Sequence, residues 1–134
     1  MTLVLDTHVL IWLAEGSARL GTKARRTIER TLRTDTVFVC AISFWEIAAL
    51  QRRGRLALAA SVRAFRGEVL EMGIRERVID GDLGIAAALL DWGHKDPADR
   101  LIAATTESAE GRLATADGDL LEWAGRRRSI DARQ

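Results

Sequence analysis

Four acids in this chain fall where strand-like runs end. Asp6 closes the apolar run Thr2 to Leu5, and Glu46 lies one turn beyond "TVFVCA" (36–41). Asp117 follows "RLAT" (112–115), and Asp99 opens the helical stretch "KDPADRLIAATT" (95–106). Carboxylates gathered at one place offer hard oxygen donors, the chemistry of Mg²⁺, which keeps several waters and takes few protein ligands. Each acid also has a plainer use. Asp6 suits the cap of a helix from Val9, and Asp117 or Asp119 the cap of a later one. Ser43-x-x-Glu46 matches a capping box, and Asp96-Pro97-x-Asp99 makes an acid-rich first helical turn. Caps need not sit at the carboxyl ends of separate strands, however, and ligands of open α/β sheets bind at that rim. The joint pattern favours one shared site.

The elements that would position these acids alternate. Thr2–Leu5 reads as a buried strand, and Val9–Ala14 as a short helix closed by Gly16. "GTKARRTIERTLRT" spaces Ala24, Ile28 and Leu32 along one helical face. The β-branched "TVFVCA" runs straight into "SFWEIAALQRRG", a helix with Ser43 as its cap and Gly54 as its stop. Val62, Phe65, Val69 and Met72 form a further stripe. "IRERVID" suggests a third strand, followed by a helix with Leu83, Ala86, Ala87 and Leu90 inward. The Asp96–Ser108 helix, the "RLAT" strand, a brief helix to Trp123 and an edge strand at "RSID" complete the chain. Strands alternating with helices predict an α/β fold, a mostly parallel sheet with helices on both faces.

At 134 residues with one proline and no repeat or linker, residues 1–134 read as a single domain. No run approaches the ~18 apolar residues of a membrane span. The apolar start lacks a basic leader and carries Asp6, so it does not read as a signal peptide. The lone Cys40 excludes an internal disulfide and fits a reducing, cytoplasmic setting. Net charge is only +1, yet of 20 basic residues all but Lys23 and Lys95 are arginine. They cluster in KARRTIER, QRRGR and GRRR. The arginine fork suits phosphate, although arginine-rich coding and solvated helix faces account for such clusters better.

"LVLDTHVLIWL", "ISFWEIA", "KDPADRLIAA" and "LATADGDLL", in that order over nearly the whole chain, resemble the successive motifs of PIN-domain ribonucleases. The nearest likeness is to the VapC-like toxins of prokaryotic toxin–antitoxin pairs. The resemblance implies a three-layer α/β/α sandwich and an endoribonuclease using Mg²⁺ or Mn²⁺. It assigns the metal-binding and catalytic acids to Asp6, Glu46, Asp99 and Asp117, with Asp119 close enough to be confused with the last. It further implies products with a 5′-phosphate and a 3′-hydroxyl, a small cognate antitoxin, a homodimer, and an RNA substrate for which tRNA is a family-level expectation. Ala98 departs from the family's usual bulky aromatic. His8, Ser43 and Thr115 are secondary candidates beside the acids. His94 reads as a solvated loop residue, and Trp45 as core.

Other classes fit less well. Two histidines and one cysteine cannot assemble a usual zinc site. Ser43 lacks the G-x-S-x-G elbow of a serine hydrolase. A phosphoacceptor receiver domain needs paired acids after the first strand, where this chain has Asp6-Thr7, and a late-strand lysine that it lacks. The remaining rival is a PIN-fold module that binds RNA or protein without cutting.

Overall fold

The computed structural model describes residues 1–134. Five strands, β1 (Leu3–Leu5), β2 (Val37–Cys40), β3 (Arg75–Arg77), β4 (Arg112–Thr115) and β5 (Ser129–Asp131), form one sheet in the order β3-β2-β1-β4-β5. Every pairing is parallel. Seven helices connect them: α1 (Thr7–Glu15), α2 (Thr22–Thr34), α3 (Ile42–Arg52), α4 (Val62–Glu71), α5 (Gly81–Leu89), α6 (Pro97–Ser108) and α7 (Gly118–Ala124).

Alternation along the strands divides the core in two, because successive side chains leave opposite faces of the sheet. Leu3, Leu5, Val37 and Val39 pack with Val9 and Leu10 of α1, Ile28 of α2, Ile47 of α3 and Phe65 and Val69 of α4. Val4, Cys40 and Leu113 pack on the other face with Leu83 and Ala87 of α5, Ile102 of α6 and Leu120 of α7. The result is the expected three-layer α/β/α sandwich.

The order of strands creates the site. The chain steps from β1 outward through β2 to β3, then returns to the opposite side of β1 for β4 and β5. The reversal opens a crevice at the carboxyl ends of β1 and β4, where such sheets bind ligands.

Several readings of the sequence need correction. Met72, read as part of the core stripe with Val62, Phe65 and Val69, falls just past α4 and is exposed, while Phe65 and Val69 are buried. The "IRERVID" strand stops at Arg77, and Val78 and Ile79 lie beyond it, exposed. Ala86 faces solvent, since α5 buries Leu83 and Ala87 one turn apart, and Leu90 falls just past the helix. Ser43 is not a cap. Ala41 alone joins β2 to α3 and sits at the cap position without a side-chain bond, which places Ser43 inside the first turn, fully buried. Trp45 is 64% exposed. Helix α3 buries Ser43 and Ile47, and a residue two positions from the first points about 200° away from that face.

Candidate active site

Asp6 ends β1 and caps α1. Its Oδ1 accepts from the Thr7 N–H at 2.7 Å, and its Oδ2 accepts from the Thr115 hydroxyl at 2.7 Å. Thr115 ends β4, and its oxygen in turn accepts from the Asp117 N–H at 3.0 Å. One buried hydroxyl thereby ties the first and fourth acids to the same pair of strands. Asp117 caps α7 through Oδ1 on the Leu120 N–H.

The second acid is fixed by a similar relay. The Thr7 hydroxyl donates to Glu46 Oε1 at 2.5 Å and lies 2.8 Å from the buried Ser43 hydroxyl. A hydroxyl has a single proton, so Ser43 is the donor of that pair. Glu46 therefore answers to Thr7 across the crevice rather than folding back into a capping box. This is a second correction at "SFWE", with the same cause: the helix begins two residues too early for Ser43 to cap it.

Asp96 and Asp99 divide their work along the first turn of α6. Asp96 is the cap, its Oδ1 accepting from the Ala98 and Asp99 N–H groups, and Pro97 occupies the first helical position. Asp99 caps nothing; its Oδ2 meets His94 Nε2 at 2.7 Å. His94 is not the free loop residue the sequence suggested. Its ring stacks on Trp92 with centroids 4.6 Å apart, Trp92 leans on Trp123 at 5.7 Å, and the Arg128 guanidinium covers Trp123 at 4.8 Å. Behind this column Arg100 donates to five carbonyls, those of Ala87, Ala88, Leu90, Trp92 and His94, and so shapes the loop that presents His94.

Asp6, Thr7, His8, Trp12, Glu46, Asp96, Asp99, Ala116 and Asp117 line one cleft of about 360 Å³. The four acids singled out from the sequence thus meet, and Asp96 and Thr7 join them. Asp119 stays outside with its side chain 66% exposed, 3.8 Å from His94 Nδ1. His8 lies on the rim, exposed, beside Trp12. Ser43 and Thr115 do not line the cleft but hold residues that do. Sequence reasoning missed Thr7 and His94. The first is the hydroxyl next to Asp6, and the second stands two residues before the cap of α6, from where it reaches back over the first turn.

No lysine or arginine lines the cleft, and its electrostatics show the consequence. Burial raises the Asp6 carboxyl above its usual range against the pull of Thr115 and Thr7, and Asp117 adds to the rise. Burial also raises Glu46, opposed by Thr7 and reinforced by Asp6, Asp99 and Asp96. Asp99 is pushed from 3.8 to about 6, chiefly by burial, with the His94 bond opposing and Asp96, Asp6 and Asp117 adding. The Asp99 bond in turn raises His94 above its ordinary value. Asp6, Glu46 and Asp99 are each raised first by burial and further by neighbouring acids, so these three act as one cluster.

A divalent cation would relieve that repulsion. No three of these side chains close into a cage around one point. Mg²⁺ does not require one, because one or two carboxylates with retained waters and a substrate phosphate suffice. Glu46, Asp99 and Asp117 each use one carboxylate oxygen within the protein and keep the other without a protein partner. The donor set fits such an ion.

Comparison with known proteins agrees with this fold. Residues 3–125 match the sequence pattern of the PIN domain. Ribonuclease VapC22 of Mycobacterium tuberculosis (strain ATCC 25618 / H37Rv) is 34% identical over 116 residues, covering 87% of this chain and 87% of that protein. A toxin-antitoxin complex from Klebsiella pneumoniae aligns with TM-score 0.65 and 18% identity over 96% of this chain and 95% of the other. VapBC2 from Rickettsia felis, bound to a DNA fragment from their promoter, aligns with TM-score 0.55 and 12% identity over 87% and 89%. At those identities the two structures speak to the fold.

Proposed function

The chain belongs to the PIN-domain family, and from that premise we propose that it is a metal-dependent endoribonuclease, the toxin of a toxin–antitoxin pair. The observation that carries the proposal is the cleft at the reversal of strand order, lined by Asp6, Glu46, Asp99 and Asp117 with no basic side chain to neutralise them. The relative named a ribonuclease supports the activity, and the neighbour named a toxin-antitoxin complex supports a small antitoxin partner.

Asp6, Glu46, Asp99 and Asp117 would hold Mg²⁺ or Mn²⁺. When bound, the metal supplies a water of lowered pKa and charge neutralisation at the scissile phosphate and leaving oxygen. The protein's part is positioning. Thr115 and the Thr7 N–H fix Asp6 from both oxygens, Thr7 fixes Glu46, and His94 fixes Asp99. Each relay leaves the acids little rotational freedom, so the geometry is set before substrate arrives. Membership of the family implies products with a 5′-phosphate and a 3′-hydroxyl, for which the 3′-oxygen is the leaving group, and no histidine is needed as general base.

Purified protein freed of antitoxin should cut structured RNA with Mg²⁺ or Mn²⁺, and EDTA should stop it. Equal cutting in EDTA would remove the metal reading. No cutting of any RNA with metal present would favour the non-cutting module. Expression alone should slow growth, and co-expression of the adjacent small gene should restore it.

A further inference from the structure

The acid cleft cannot by itself attract a polyanion, since every ionised side chain that lines it is a carboxylate. A second groove, of about 720 Å³, runs along the edge strand β5 between α2 and α7. Lys23, Arg30, Arg112 and Arg126 line it, with Asp131 as its acidic side chain. We propose that this groove is an RNA-backbone site that holds the substrate's phosphates while the scissile bond lies in the acid cleft. The proposal rests on the ribonuclease reading above and extends it to how substrate is held.

Three observations support it. Lys23 and Arg30 of KARRTIER and Arg126 of GRRR, about a hundred residues apart in sequence, are brought to one groove with Arg112 by the fold. Scattered solvated charges have no reason to converge on one concave surface. The charges are also uncompensated: Asp131 is engaged by Arg133 in a two-pronged pair at 3.0 Å. Arg112 donates only to the Ser129 carbonyl and the Met1 sulfur, and its Nε is buried without a partner. A half-buried guanidinium among neutral acceptors leaves its positive charge available to an incoming anion.

The third observation is register. Asp131 at the upper end of the groove pairs with Thr115 of β4, and Thr115 holds Asp6. Two interstrand spacings of about 4.8 Å therefore put the groove's end about 10 Å from the first acid. A strand lying along β5 would lead onto the catalytic rim. The division of labour is physical: the cations supply affinity where no metal is needed, and the acids stay free for the metal.

The test uses the full chain carrying Asp99→Asn in EDTA, so that RNA is bound and not cut. Binding of a fluorescein-labelled RNA stem-loop with a single-stranded tail is measured across roughly 50–200 mM salt. Adding Arg30→Gln and Arg126→Gln, both exposed, should weaken binding about tenfold at low salt and lower the log–log salt slope by about 1.4–1.8, two phosphate contacts. Arg30→Lys with Arg126→Lys should restore most of the slope, because a point charge still meets a phosphate. The control pair Arg53→Gln and Arg63→Gln, exposed and outside the groove, should leave the slope unchanged. An unchanged slope in the groove variant overturns the proposal, as does an equal fall in the control, which would mean diffuse attraction. A parent that binds no RNA at any salt removes the ribonuclease reading as well; a parent that binds while the groove variant binds equally removes only the groove.

Discussion

Asp99→Asn should make the metal-free protein more stable, against the usual expectation for a substitution in a folded interior. The Asp99 side chain is 19% exposed and its carboxyl is raised from 3.8 to about 6, first by burial and then by Asp96, Asp6 and Asp117. Since the folded state holds the proton more tightly than the unfolded chain, Asp99 costs nothing below pH 3.8. The cost then grows as pH rises toward 6 and stays constant above it. At 1.36 kcal/mol per pKa unit, ionised Asp99 destabilises the fold by about 3 kcal/mol at pH 8. Asparagine removes that cost but weakens the bond to His94, about 1–2 kcal/mol. The net gain is about 1–2 kcal/mol, and for a chain of this size Tm should rise by about 4–8 °C in EDTA at pH 8. Near pH 4, where wild-type Asp99 is largely protonated, that cost is almost gone and only the weakened His94 bond remains, so the variant should lose its advantage and melt at or below the wild type. Mg²⁺ should reverse the order, stabilising the wild type by about 2.7 kcal/mol at a hundred times Kd and the variant by less. Thermal melts at pH 4 and pH 8, with EDTA and with Mg²⁺, give the four values. A variant that melts at or below wild type in EDTA at both pH values, and gains equally from Mg²⁺, refutes the repulsive cluster and returns Asp99 to the role of a first-turn acid.

In RNA cleavage with metal, Asp99→Asn should lower turnover by orders of magnitude, checked by single-turnover kinetics beside a binding measurement. Glu46→Gln should also raise Tm in EDTA at pH 8, because burial and three acids hold its carboxyl up. Thr115→Val keeps the shape of a fully buried side chain and removes the donor to Asp6. It should cost about 1.5–3 kcal/mol in urea unfolding, the value of a hydrogen bond to a charged group. His94→Ala removes the one interaction that lowers the Asp99 carboxyl, so NMR titration of Asp99 should show its pKa above 6, with His94→Gln restoring part of the difference. Arg100→Met strips five carbonyls of their donor and should destabilise by about 3 kcal/mol or more, while Arg100→Lys recovers little, since one ammonium cannot span them.

How far the sequence revealed the site depended on the range of each interaction. Asp6, Glu46 and Asp117 could be placed on one rim because β1, β2 and β4 are short apolar runs whose ends are visible, and a parallel sheet aligns those ends. Asp117 rather than Asp119 reaches the cleft for a local reason as well, since the residue that caps α7 sits beside Thr115 and the next acid turns outward. What stayed hidden was relayed across the fold. Ser43 fits the pattern of a cap, and only the abrupt passage from β2 into α3 moves it inside the helix and hands its proton to Thr7, 36 residues earlier. Trp45 was placed in the core by its type, whereas helical phase assigns that face to Ser43 and Ile47. His94 looked idle because its partner lies around a helix start and its support comes from Trp92, Trp123 and Arg100 on three separate stretches. The acids lie at strand ends, where local pattern shows them. The groups that orient them are set by tertiary contact, so reading the sequence finds the chemistry before it finds what holds the chemistry in place.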